Sequence, residues 1–356
     1  MSAASETPNT SQVWMSVNRL LPQISKQNFC SFTFLLGMIM GHSQDNLVWK
    51  TGPPLQLPKG GALTGLLNGQ LILAGGSYWT NDQKVWIDQV VAFDCAAGYW
   101  RSLPSLPRPL ANGAGTVWGN GFFCLGGTRP GAVLQDSYCL SFTNNEYRWR
   151  EFISLPEPLC YARAEVIDDG LCLFGGATDP ADLQTSSSTV YRLSLADASP
   201  VWKKLAPIPG RGRSLPATAV CNRKVYLFGG SFGTSQKEVV NLRDAYVYDP
   251  KLNSWHQIGN PPTATRAWSA AAWNDRYIFL FGGYSTSGAA EITPKGTFSR
   301  HVFRYDAQSD RYEEMTALPA GVADIHFHRF QQAFYGAGGE PGVKQRAAST
   351  YIGEVR

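Results

Sequence analysis

The stretch Gly338-Gly339-Glu340-Pro341-Gly342-Val343-Lys344-Gln345-Arg346 sets a carboxylate and a guanidinium six residues apart, directly after a glycine pair. A carboxylate within hydrogen-bond reach of a substrate can shuttle a proton. A guanidinium can grip a carboxylate through two parallel N–H donors. Five other Gly-Gly pairs stand at matching places, and Ser77, Thr128, Ala177, Ser231 and Tyr284 follow them. Glu340 therefore breaks a pattern. The alternative use of the same two residues is a salt bridge that pins a surface loop.

The elements that must position this pair are repeats. The glycine pairs begin at 75, 126, 175, 229, 282 and 338. Each follows an apolar run of β type, such as QLILAGG, LCLFGG or IFLFGG. A second strand with an aromatic or acidic end comes next (VVAFD, AYVYDP, VFRYD), then an aromatic-led strand (YWRSLPSLP, VWKKLAPIP, SWHQIGNPP). A further strand leads into the next pair. Four strands per repeat, with a period near fifty, predict the blades of a propeller. The order Gly-Gly, Tyr-Asp, Trp resembles the Kelch repeat.

The ends of the chain set the blade count at six. The last repeat ends in STYIGEV and lacks an aromatic-led fourth strand. An orphan copy of that strand, LVWKTGPPLQLP around Trp49, stands before the first repeat. The simplest reading is an all-β, six-bladed Kelch β-propeller over 45–356, its last blade closed by the strand around Trp49. Such a ring leaves no open sheet edge.

In this fold the loops after Gly-Gly share one mouth of the central channel with the segments before each inner strand. Those segments carry Arg108, Arg163, Arg213 and Arg266, and in the last blade Asp324, His326, His328 and Arg329. A mouth lined this way suits an acidic ligand. The same arginines could instead tie neighbouring loops together. The loops 77–89 and 284–300 are longer than a hairpin needs, and long loops on a rigid scaffold often bind. Tyr78, Trp79 and Trp86 could stack on a sugar ring or pack the loop itself.

The segment Gly339-Glu340, then Pro-Gly, then Arg346 resembles the motif G-E-x-x-P-G-x-R of the N-acetylneuraminate epimerases, Kelch propellers also called sialic acid mutarotases. Here the Pro-Gly pair comes two residues earlier, while the glutamate-to-arginine spacing is kept. In that family the motif blade is followed by a W-x-K-L-x-P-type strand and a blade with a long loop after Gly-Gly. Here VWKTGPPLQLP and LILAGGSYWTND supply these from the other end of the chain. The sequence thus looks like a circularly permuted member. The resemblance implies an isomerase that interconverts the α and β anomers of N-acetylneuraminate by ring opening and closing. It makes Glu340 the catalytic base and gives Arg346 to the sugar carboxylate or to developing charge. It implies a small acidic sugar as partner and no cofactor. Arg108, Arg163, Arg213, Arg266, His326 and His328 are the candidate substrate-binding residues. His326, His328 and Tyr335 are candidates for the acid partner. The competing class is a non-catalytic Kelch propeller that binds a protein or an acidic glycan. A copper oxidase on this fold would need metal ligands and further domains, for which the chain is too short.

Composition agrees with many short strands: 36 glycines, 22 prolines and 16% charged residues in 356. The formal charge of +4 is not gathered in a basic block, which argues against nucleic acid as a partner. No metal site is expected, since no C-x-x-C and no His pair at ligand spacing occurs. The apolar run Phe29–Gly41, after a polar segment holding Arg19 and Lys26, fits a signal-peptide h-region with cleavage before Gln44. Residues 1–44 then form a leader, translation starting at Met1 or Met15. The processed protein would be periplasmic or secreted and without a membrane anchor. Cys30 falls in that leader. The other six cysteines sit in apolar strand patterns and read as small buried hydrophobes.

Overall fold

The computed structural model describes residues 46–286 and 296–356. The leader, with its signal-peptide reading, and the tip of the loop 284–300 lie outside them.

The described residues hold six antiparallel four-stranded sheets. In chain order the inner strands are Leu63–Leu67, Ala114–Trp118, Arg163–Ile167, Ala217–Cys221, Ser269–Ala272 and His328–Phe330. We number the blades one to six on this basis. Each inner strand touches the next, and His328–Phe330 touches Leu63–Leu67, so the circuit is closed. Blade six runs His328–Phe330, Ala333–Ala337, Thr350–Val355, then Leu47–Gly52 at its outer edge. There Trp49 faces Gly353 across the ladder. The N-terminal strand completes the last blade, as its orphan sequence predicts.

The repeat residues explain how blade joins blade. The outer-strand aromatics each donate to a carbonyl of the preceding blade's exit. Trp100 Nε1 reaches Pro53 O at 2.9 Å, Trp149 reaches Pro104 O at 2.8 Å, and Trp202 reaches Ser154 O at 2.9 Å. Trp255 reaches Ala206 O at 2.9 Å, and the Tyr312 hydroxyl reaches Gly259 O at 2.7 Å. Trp49 completes the series on Thr316 O at 3.0 Å. Its ring packs on Phe281, Phe327 and Tyr351. A large ring with one polar tip suits this place, since it fills a seam while its tip bonds a carbonyl at the seam's rim.

The glycine pairs do a different job. Gly338 has φ +75°, and a Cβ on it would lie 2.7 Å from the Lys59 carbonyl of the next blade's entry. Gly339 donates to that same carbonyl at 2.9 Å. The other pairs repeat this approach; a Cβ on Gly175, for example, would lie 2.4 Å from Arg213 O. Only glycine lets the neighbouring backbone come so close at positive φ. The apolar cores lie in these seams. Leu71, Phe93, Leu55 and Tyr335 fill the one between blades six and one.

The six cysteines at 95, 124, 139, 160, 172 and 221 are buried and unpaired.

Candidate functional site

The residue after each glycine pair is fixed in register. Isolated antiparallel bridges pair Ser77 with Gly60, Thr128 with Ala111, Ala177 with Cys160 and Ser231 with Ser214. Arg266 pairs with Tyr284 inside a short ladder, and Ala323 pairs with Glu340. Glu340 therefore occupies in blade six the place that Ser, Thr, Ala or Tyr occupies elsewhere.

The residue one step further on forms a collar. Gly61, Asn112, Tyr161, Leu215, Ala267 and Asp324 all have φ between 52° and 67°. Their backbones are linked in sequence around the axis. Asn112 N donates to Gly61 O (2.7 Å), Tyr161 N to Asn112 O (2.8 Å) and Leu215 N to Tyr161 O (2.8 Å). Ala267 N donates to Leu215 O (3.0 Å) and Asp324 N to Ala267 O (2.7 Å). Side chains other than glycine are uncommon in this conformation, and each costs about 1 kcal/mol or more. The run of hydrogen bonds holds them there, and it brings Tyr161 and Asp324 to the mouth beside Glu340.

Glu340 Oε1 lies 3.0 Å from Arg346 Nη2, with side-chain exposures of 31% and 7%. Arg346 also donates from Nε to Ser77 O (3.2 Å) and from Nη1 to Gln345 O (2.8 Å). Burial pushes the Glu340 carboxyl up to about 7, and the neighbouring Asp324 charge adds to the rise. Arg346, Lys84 and Arg266 pull the other way. Asp324 ends below the ordinary carboxylate range: burial pushes it up, but His326, Arg163 and Arg346 outweigh that. Two neighbouring carboxyls driven apart in this way can serve as one proton acceptor and one fixed charge. The Tyr161 phenol is driven up by burial, with the charges of Asp324 and Glu340 adding to it. It stays a neutral O–H donor.

Below the collar the channel encloses a cavity of about 330 Å³ lined by all six inner strands. Arg163, Glu165, His326 and His328 are among its walls; Glu340 and Arg346 stand outside it, at the mouth. His326 Nε2 is 3.7 Å from Asp324 Oδ1, and burial depresses its basicity. His328 bonds Thr64 Oγ1 at 2.8 Å and is held neutral by burial, pushed down to about 3. Arg163 spends its Nε on Pro216 O at 2.8 Å, while its Nη2 is buried without a partner.

The expectation that four arginines share the mouth needs correcting. Counted from the collar, Arg266 lies one residue before it, Arg163 two after, Arg213 two before and Arg108 four before. In extended chain a shift of one residue reverses a side chain's direction. Arg213 is 0% exposed and grips Asp244 with both Nη atoms, tying loops together. Arg108 is 45% exposed and pairs with Asp136 at 3.0 Å. Arg266 stays near Glu340, held by Asn241 at 2.8 Å and stacked on Tyr284. Tyr335 is also removed from the acid candidates: its hydroxyl donates to Cys95 O at 3.3 Å within a seam. Trp86 donates to Thr128 Oγ1 at 3.2 Å, packing the loop.

Sequence reasoning missed Lys84, Tyr161 and Glu165. The first lies on a hairpin whose geometry no motif announces. The second sits in a left-handed residue that tyrosine rarely adopts. The third has its carboxyl pushed up to about 7 by burial in the channel.

The comparisons agree with this architecture. A protein of Haemophilus influenzae named N-acetylneuraminate epimerase is 30% identical over 105 residues, 30% of this chain and 28% of that protein. One of Yersinia pestis with the same name is 27% identical over 188 residues, 44% of this chain and 48% of that one. A Vibrio cholerae protein named only as Kelch domain-containing is 34% identical over 105 residues, 29% of each chain. The matches thus span from about a quarter to about half of these relatives. Residues 114–333 match the family described as the KLHDC2/KLHL20/DRC7 Kelch-repeats domain. With six four-stranded blades and a glycine pair in each, the chain belongs to the Kelch-repeat propellers.

Proposed function

We propose that this chain is a mutarotase for an acidic keto-sugar, N-acetylneuraminate, and that Glu340 is its base. One observation carries the reading: a half-buried carboxyl at the channel mouth, pushed up to about 7 and backed by Arg346. A base titrating near the working pH takes and returns protons most effectively. The names of the relatives supply the substrate class.

Glu340 takes the proton of the anomeric hydroxyl. The bond from the anomeric carbon to the ring oxygen breaks, and that oxygen receives a proton. The open keto form rotates about the adjoining carbon–carbon bond. The ring hydroxyl then attacks the other face of the carbonyl and yields its proton, while Glu340 returns one to the new anomeric oxygen. Tyr161, a neutral donor in the collar, is suited to serve the ring oxygen. Arg346 is tied to Glu340 and to two carbonyls, so its part is to hold and charge-balance the base.

The test is proton NMR of freshly released α-N-acetylneuraminate, in which conversion to the β anomer is expected to outrun the buffer rate. Conversion at the buffer rate, with the sugar still bound, would favour a non-catalytic acidic-glycan binder. Export to the periplasm or medium is proposed from the Phe29–Gly41 run alone. N-terminal sequencing of exported protein is expected to begin at Gln44, and uncleaved cytoplasmic protein would contradict it.

A further inference from the structure

The chain after the first glycine pair is a hairpin, Ser77–Thr80 paired with Gln83–Trp86. Its turn, Asn81-Asp82, has φ of 48° and 58°, the sign that a tight two-residue hairpin requires. The hairpin is clasped to the segment that carries Glu340 and Arg346. Lys344 Nζ reaches Asp82 Oδ1 at 3.0 Å and stands 5.2 Å over the Trp79 ring. Arg346 Nε reaches the Ser77 carbonyl. Blade one thus overhangs the blade-six site.

Lys84 lies directly across the ladder from Trp79. Its ammonium sits 4.8 Å over the Trp86 ring. Among the described residues it has neither an ion-pair partner nor a hydrogen-bond acceptor. The clasp of the hairpin to the Glu340–Arg346 segment sets Lys84 beside the mouth. Burial lowers its basicity, Arg346 adds to the drop, and Glu340 and Asp324 oppose it. Two other cations beside Glu340 are committed: Arg346 to Glu340 and two carbonyls, Arg266 to Asn241 and the Tyr284 ring. Arg163, with an unpartnered Nη2, lines the channel cavity instead. In a keto-acid sugar the carboxylate is bonded to the anomeric carbon itself. It must therefore lie within a few bonds of whatever reaches the base.

We infer that Lys84 receives the substrate's carboxylate and so sets the preference of this site for acidic over neutral sugars. The inference rests on the mutarotase reading and deepens it. An ammonium on the overhanging hairpin completes a site in which Glu340 handles the proton and Lys84 the charge.

The experiment measures anomer conversion and, separately, binding of N-acetylneuraminate by calorimetry, for wild type, Lys84→Gln and Lys84→Arg. Neutral N-acetylmannosamine is the comparison ligand. Lys84→Gln is expected to raise KM and Kd for the acidic sugar on the order of tenfold or more, the loss typical of a hydrogen bond to a charged group. Because Lys84 also opposes the rise of the Glu340 carboxyl, kcat is compared well above pH 7, where the base is ionised in both proteins and kcat should change little. Lys84→Arg should recover part of the affinity. Unchanged KM and Kd in Lys84→Gln, with wild type active, would overturn the assignment and leave the mutarotase reading standing. Wild type that binds without accelerating, and loses binding in Lys84→Gln, would keep the assignment and sink the mutarotase. Wild type that neither binds nor accelerates would overturn both.

Discussion

The Glu340 carboxyl and the Arg346 guanidinium meet at 3.0 Å, and the arginine is the more deeply buried of the two. That order matters. Arg346 is locked by two backbone carbonyls, so it holds Glu340 in place rather than the reverse. It is also one of the cations that oppose the rise of the carboxyl toward 7. Arg346→Gln removes that opposition while burial and Asp324 remain. The carboxyl would ionise at higher pH, and the acid limb of the kcat/KM profile is expected to move upward from near 7. A limb that stays in place would show that Arg346 does not act on the base.

Glu165 offers a test on stability. Its carboxyl, buried in the channel and accepting from Thr218 at 2.8 Å, is pushed up from an ordinary 4.5 to about 7. Between those values the folded state binds the proton more tightly than the unfolded chain. The stability from this group is full below 4.5 and is lost as pH rises through about 7. Glu165→Gln keeps an acceptor for Thr218 and cannot ionise. Its Tm is expected to exceed that of wild type at about pH 8 and to match it in acid. The same difference at both pH values would contradict this origin.

The seam closed by Trp49 should be costly to open. Trp49→Ala removes three aromatic contacts and the hydrogen bond to Thr316 O. A loss of about 3 kcal/mol is expected in urea unfolding, within the range for aromatic truncations. Trp49→Phe should restore most of it. Equal losses in both variants would mean that the hydrogen bond, not the packing, holds the strand.

Much of this was legible in the sequence for physical reasons. The glycine pairs mark places where a neighbour's carbonyl occupies the Cβ position, so they cannot drift. The outer aromatics mark seams because each packs against a neighbouring blade and donates to its carbonyl. Glu340 was visible because it breaks the series Ser, Thr, Ala, Ser, Tyr after the glycine pairs, and the bridge to Ala323 shows that the repeats do place it in the same register. What was not legible depended on direction within a few residues. Arg108, Arg163, Arg213 and Arg266 look alike beside an inner strand, yet the chain turns through a left-handed residue between them. Two go to structural partners, one to the channel wall and one to the neighbourhood of Glu340. Lys84 and Tyr161 reach the site through a hairpin clasp and a run of backbone hydrogen bonds, neither of which leaves a composition signal.

The most direct measurement compares wild type with Glu340→Gln in anomer conversion of freshly released α-N-acetylneuraminate, followed by proton NMR near neutral pH. Wild type is expected to convert the sugar well above the buffer rate. The variant, folded and with the hydrogen bond to Arg346 available through its amide oxygen, is expected to fall by a factor of about 10² or more. Full activity in Glu340→Gln would contradict the assignment of this carboxyl as the base.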